Sequence, residues 1–213
     1  VADIFREVDE EVRQEKLLRL WKQYGLYLVA GIVLLIVAVG GWKGYESWQA
    51  SQRRDAADAY ATALAKASGD AAAALDSLEK QAAPAEDGYG LLAALQAARL
   101  RASAGDVEGA VAEWEKIRDS EDLPRVYRDM AALLIVEHTF KDADAEQLDA
   151  DLTPLLDPAS PVRPSAIELS ALLALREGDN ATARTRLKEL TDDASTPLGL
   201  RQRATQLLGT LPE

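Results

Sequence analysis

Hydrophobic positions along this chain fall into two regimes. From Gln23 to Trp42 they are nearly continuous: QYGLYLVAGIVLLIVAVGGW carries no charge, and Lys22 and Lys43 bracket it. A helix rises about 1.5 Å per residue, so a stretch of this length spans the ~30 Å hydrocarbon core of a bilayer. Beyond Trp48 the apolar positions recur every three or four residues between polar ones, which predicts amphipathic helices. The segment before the span, DIFREVDEEVRQEKLLRLW, has the same period. Ile4, Phe5, Val8 and Val12 form a stripe that Leu17, Leu20 and Trp21 continue. The pattern as a whole predicts an all-α protein with a single N-terminal transmembrane helix.

Aromatic residues frame the span. Trp21, Tyr24 and Tyr27 stand at one end and Trp42, Tyr45 and Trp48 at the other, where amphipathic rings favour the headgroup layer. Three of the four tryptophans are used in this way. A cleaved secretory signal has a shorter apolar region behind a brief basic start, whereas here a charged segment of twenty-two residues precedes the run. Flanking cations set the orientation. Arg13, Lys16, Arg19 and Lys22 precede the span, and Lys43, Arg53 and Arg54 follow it. By the positive-inside rule the N-terminus lies in the cytoplasm and the C-terminal part across the membrane. The predicted organisation is a cytoplasmic amphipathic helix (1–22), the membrane helix (23–42), a juxtamembrane linker or helix extension (43–51) and a periplasmic domain (52–213).

Breakers in that domain come at a regular interval. Gly69-Asp70, Gly105-Asp106 and Gly178-Asp179 each close one apolar-periodic run and open another; the gaps are thirty-six and seventy-three residues. Halving the second predicts a fourth junction at Phe140-Lys141-Asp142. Glycine in the left-handed conformation closes a helix, and the Asp caps the next one by accepting a backbone N–H bond. Four residues after the Asp stands a small residue and eight after it a bulky one: Ala74/Leu78, Ala110/Trp114 and Ala183/Leu187. A small residue allows close approach of two antiparallel helices. Glu146 and Ala150 break this rule in the third unit, whose apolar face is carried by Leu148, Leu152 and Leu155. The predicted first helices are 52–68, 88–104, 123–139 and 163–177. Their partners are 70–82, 106–118, 142–156 and 179–190, and a capping helix follows at 198–208. Prolines such as Pro84, Pro124 and Pro197 fall in or beside the connections. A helical pair of this length is close to the tetratricopeptide period of ~34 residues. The expected fold is therefore a tetratricopeptide-like α-solenoid of about four hairpins plus the cap.

Net charge is −12, and it is distributed unevenly. Residues 1–42 carry −1 and residues 43–213 carry −11, so the domain repels nucleic acid and anionic lipid. Protein partners, basic ones above all, remain. There is no cysteine, hence no disulfide framework and no thiolate metal site. The single histidine, His138, lies near the end of a predicted helix beside Leu134 and Ile135 and reads as a packing residue. Gly88-Tyr89-Gly90 lacks the third glycine and the preceding strand of a dinucleotide loop. The reading is non-enzymatic, with no catalytic, cofactor or metal residues. Candidate partner contacts are Phe5, Val8 and Val12 on the first stripe and Tyr60, Tyr89 and Tyr127 on first helices, because interfaces favour Tyr. Trp114, at the bulky position, reads as core.

Several segments together carry a family resemblance. These are the charged start, the span ending in Gly41-Trp42-Lys43 with Tyr45 and Trp48 after it, and Ala59-Tyr60 opening the first pair. Gly88-Tyr89-Gly90-Leu91-Leu92-Ala93-Ala94-Leu95 and the late Leu172–Leu175 run with Gly178-Asp179 and Ala183 add to them. In these the chain resembles the YfgM family of bacterial inner-membrane proteins, ancillary subunits of the SecYEG translocon. The resemblance implies a periplasmic tetratricopeptide-like domain that helps pass secreted chains from SecYEG to periplasmic chaperones. The other reading that the residues leave open is an accessory or assembly subunit of a different inner-membrane complex, such as a respiratory or photosynthetic one.

Overall fold

The computed structural model describes residues 2–82 and 88–212, and their side chains except those of residues 2–20 and Ile32. Pro84 and the side chains of Phe5, Val8 and Val12 thus lie outside the described part. Nine α-helices account for the described chain: α1 (Ala2–Ala67), α2 (Ala71–Gln81), α3 (Gly88–Ser103), α4 (Val107–Arg118), α5 (Arg125–Thr139), α6 (Ala145–Leu152), α7 (Arg163–Arg176), α8 (Asn180–Asp192) and α9 (Leu198–Thr210). A 3₁₀ turn, Thr153–Leu156, extends α6. No strand occurs among the described residues. The chain divides into two compact units, 1–55 and 56–213.

In the first unit the apolar run is helical throughout and almost wholly exposed. Within Trp21–Ala67 the helix is long and apolar enough to cross a membrane. Gly25 is buried there because the Trp21 ring, one turn earlier, lies over it. A Cβ at Gly25 would come within 3.2 Å of the indole.

The second unit is a stack of helical pairs, each touching mainly its neighbours, as repeat architectures do. Its junctions follow the expected chemistry with two corrections. Asp70, Asp106 and Asp179 each cap a helix, accepting a 2.9 Å bond from the backbone N–H of Ala73, Gly109 and Thr182 respectively. Gly105 and Gly178 hold left-handed backbone, with φ of 97° and 81°. The amides after them reach back to Arg101 O and Ala174 O, the six-to-one bond of a Schellman close. Gly69 is the first correction: it has no positive φ, and its turn closes with both Gly69 N and Asp70 N donating to Lys66 O.

The glycine-free junction is the second. Asp142 does not cap a helix; Asp144 occupies the cap position, with no side-chain bond, and α6 begins at Ala145. In that register the residues four and eight after the cap are Leu148 and Leu152, both fully buried. A large residue thus replaces alanine at the position of closest approach. α5 and α6 accordingly make far less contact than α4 with α5 or α7 with α8. Arg176 of α7 does the work of the missing glycine. Its Nη1 donates to Phe140 O at 2.6 Å and Ala143 O at 3.2 Å, and its guanidinium lies 5.4 Å from the Phe140 ring centre.

Buried side chains of neighbouring pairs form the core. Ala63, Leu78, Ala93 and Ala97 pack the first pair on α3. Trp114 and Ile117 fill the next layer with Leu91, Ala98 and Ile135. Leu148, Leu152, Leu155 and Leu173 build the third, and Ile167, Leu187, Leu190 and Ala204 the last. Trp114 is wholly buried and lies 4.7 Å from the His138 ring, whose Nδ1 is 2.9 Å from Leu134 O. The Trp114 indole N–H has no acceptor among the described residues.

Candidate partner-binding groove

Helix α5 carries apolar residues in excess of what its neighbours cover. Val126, Met130, Leu133 and Phe140 repeat at four-, three- and seven-residue spacing and so share one face. Val126 and Met130 are exposed, at 39% and 40%. The Leu133–Phe140 end of this face meets α7 and α9 across an open groove of about 690 Å³. Leu133 and Phe140 line one wall, Leu169 and Leu172 of α7 another, and Leu207 of α9 the third. The volume is in the range of ligand-sized clefts, ~300–1,000 Å³.

Charges stand around this apolar floor. Arg203 of α9 grips Glu168 of α7 with both edges of its fork, Nε at 2.7 Å and Nη2 at 2.8 Å. Glu168 holds the Arg203 pKa above its usual value, first by the hydrogen bond and then by its charge. The pair fixes α9 against α7 and stands at the groove edge, with Glu137 of α5 and Lys141 of the following turn also lining it. The Phe140 carbonyl is in turn held by Arg176, so the groove's aromatic residue sits on a pinned backbone.

The residues singled out by sequence are placed as follows. Trp21, Tyr24, Tyr27, Trp42, Tyr45 and Trp48 are all exposed on α1, and the Tyr45 and Trp48 rings lie 6.1 Å apart. Lys43 pairs with Glu46 at 2.9 Å. Tyr60 and Tyr89 are half-buried against each other, ring centres 6.1 Å apart, beside the Ala63–Leu78 layer. Burial pushes the Tyr60 hydroxyl pKa up. Tyr127 packs at the edge of a different layer, with Trp114 and Ala131. The three tyrosines therefore do not come together, and none of them lines the groove. Sequence reasoning ranked aromatic type above position and so passed over Leu133, Phe140, Leu172 and Leu207. The apolar spacing from Val126 to Phe140 was the signal that could have found Leu133 and Phe140. No group of three or more His, Cys, Asp or Glu that could hold a metal ion occurs among the described residues.

Comparison with known proteins agrees with this architecture. A tetratricopeptide repeat-like domain family model matches residues 19–135, more than half the chain, and takes in the apolar run as well as the first pairs. Over 121 residues the chain is 28% identical to the ancillary SecYEG translocon subunit of Escherichia coli (strain K12). That match covers 56% of this chain and 58% of the relative, so less than two thirds of the relative's length is spanned. No solved structure matches.

Proposed function

The chain belongs to the tetratricopeptide repeat-like domain family, and from that premise we propose that it is a membrane-anchored interaction scaffold, an ancillary subunit linking a SecYEG-type translocon to periplasmic chaperones or emerging secreted chains. The open apolar groove between α5, α7 and α9 carries this reading. Leu133, Phe140, Leu169 and Leu207 pack on the core by one side and leave the other open in the cleft, and open apolar surfaces mark partner sites. The similarity to an ancillary SecYEG subunit supports the translocon as the membrane complex.

In this reading the helix containing Gln23–Trp42 crosses the inner membrane once. The aromatic frame sits at the two headgroup layers, residues 1–22 lie in the cytoplasm and 52–213 in the periplasm. The four cations in the fifteen residues before the span, against three in the fifteen after it, support that orientation. Phe5, Val8 and Val12 dock on the membrane complex, and the domain acts by binding rather than by catalysis. Tyr60, Tyr89 and Tyr127 add contacts on first helices outside the groove.

Purification of the full chain in mild detergent tests the proposal. The wild type recovers the translocon together with a periplasmic partner. Leu172→Glu, which charges the groove wall at a residue outside the core layers, keeps the translocon and loses the periplasmic partner. Removal of residues 50–213 has the same effect. Stoichiometric recovery of an unrelated membrane complex without the translocon refutes it.

A further inference from the structure

Two open clefts flank one seam in the stack. The groove of about 690 Å³ lies between α5, α7 and α9, and a second cleft of about 550 Å³ opens between α4, α5, α6 and the 3₁₀ turn. Helix α5 supplies a wall to both. Successive helical residues are about 100° apart, so Val136 falls between Leu133 and Ala132, roughly 60° from the first and 40° from the second. Leu133 lines the groove and Ala132 lines the second cleft. Val136, between them, is wholly buried in one cluster with Leu148 and Leu173. The opposing walls, α6 for the second cleft and α7 with α9 for the groove, all belong to the block that follows the α5–α6 turn.

The seam is lightly held. Helix α5 makes far less contact with α6, α7 and the 3₁₀ turn than with α4. Leu148, four residues after the cap, keeps α6 at a distance. Polar ties supplement the apolar line, and they fall on the same face of α5, because Asp129 and Arg125 stand seven and eleven residues before Val136. Ser160 Oγ, in the loop before α7, donates to Asp129 at 2.7 Å, and Ser160 is itself buried. Arg125 bridges Asp129 at 3.2 Å and Asp157 at 3.6 Å. Packed blocks move as rigid bodies about contacts of this kind. The two clefts lie on opposite sides of the line, so a rotation that widens one narrows the other.

We infer that this seam is a rocker: the α6–α9 block turns on the Val136 line, and the groove and the second cleft open in alternation, with the Asp129–Ser160 bond as the catch. The second cleft needs no ligand for this. It acts as the clearance into which α6 swings when the groove is forced apart. The rocking stands by itself; that it controls partner binding rests on the groove being the partner site.

The chain has no cysteine, so introduced pairs can be spin-labelled without background. Glu137→Cys with Gln206→Cys reports across the groove, and Glu115→Cys with Gln147→Cys across the second cleft. Distances are read by pulsed electron resonance on the full chain in detergent micelles, with a wedge placed in either cleft. Ala150→Trp, in the second cleft, should lengthen the Glu115–Gln147 distance and shorten the Glu137–Gln206 distance, each by roughly 1–2 Å, the scale of helix shifts at packed interfaces. Leu172→Trp, in the groove, should do the reverse. Ser160→Ala, which releases the catch, should enlarge both responses. Helical circular dichroism at the wild-type level shows that a variant is folded, and the wedges sit in different helices, so loss of one leaves the other to decide. Widening of one cleft with the other unchanged, widening of both, or a cleft that stays shut against its own tryptophan overturns the rocker. Full recovery of the periplasmic partner by Ala150→Trp, with the reciprocal distances observed, leaves the rocker standing and refutes the groove as the partner site.

Discussion

Removing Arg176 should loosen the one junction that has no glycine. In Arg176→Ala the carbonyls of Phe140 and Ala143 lose a charged donor at 2.6 and 3.2 Å, and the Phe140 ring loses the cation 5.4 Å above it. A hydrogen bond from a charged group contributes ~1.5–3 kcal/mol when buried. The Arg176 side chain is 28% exposed and water can replace it in part, so about 1 kcal/mol per bond is the fitting figure. The cation–ring contact adds roughly 0.5 kcal/mol, the exposed end of its range. The junction should therefore open about 2–2.5 kcal/mol more easily, a factor of about thirty or more at ~1.4 kcal/mol per tenfold. Amide hydrogen exchange reads this directly, because Asp142 N and Ala143 N both donate to Thr139 O inside the turn. Those two amides should exchange about thirtyfold faster in Arg176→Ala, while the Ala183 amide on α8 changes little. Arg176→Lys should recover less than half of the protection, since an ammonium keeps the charge but lacks the planar fork. Exchange at Asp142 and Ala143 within twofold of wild type would refute the argument that Arg176 closes the junction.

Three further outcomes follow from the same geometry. Gly178→Ala places a Cβ on backbone at φ 81° and should cost about 1–2 kcal/mol in urea unfolding. Gly69→Ala, with no positive φ and open space around it, should be neutral or slightly stabilising; equal losses at the two sites would contradict the assignment. The Asp179 carboxylate is held below its usual pKa of 3.8 by the Thr182 hydroxyl and then by backbone amides. Its folded pKa is thus below its unfolded one. Its contribution is present above pH ~4 and is lost as the pH falls through the folded value. The protection of the Thr182 amide relative to its intrinsic exchange rate at each pH should fall over that acid window in the wild type and stay constant in Asp179→Asn.

Local chemistry made most of the fold readable before any coordinates. Asp70, Asp106 and Asp179 cap helices because an aspartate after a terminating glycine has few other uses, and the predicted bounds of α2, α4 and α8 lie within two residues of the observed ones, whereas the helix predicted from 52 is the end of the continuous α1. The fourth junction was misread by two residues. Halving an interval assumes equal repeats, and the unequal one is closed by a side chain thirty-six residues away, which no local rule contains. Once Asp144 is taken as the cap, the buried Leu148 and Leu152 fall at the four and eight positions, and the exception narrows to a large residue where the other units have alanine. The groove was hidden for a related reason. Leu133, Leu172 and Leu207 look like core residues in their own helices, and only the packing of α5, α7 and α9 leaves one side of each open. The tyrosines were chosen by type alone, and their positions place Tyr60 and Tyr89 against each other and away from the groove.

In a stack that communicates only through adjacent layers, cooperativity is no greater than its thinnest joint allows. Leu148 makes α5–α6 that joint, with the Trp114 layer on one side and the Leu148–Leu173 layer on the other. The two blocks can then lose structure separately. A nick in the Lys141–Asp144 turn would release the C-terminal block while the block before it stays folded, so the first product of limited proteolysis should be an N-terminal fragment that retains Trp114.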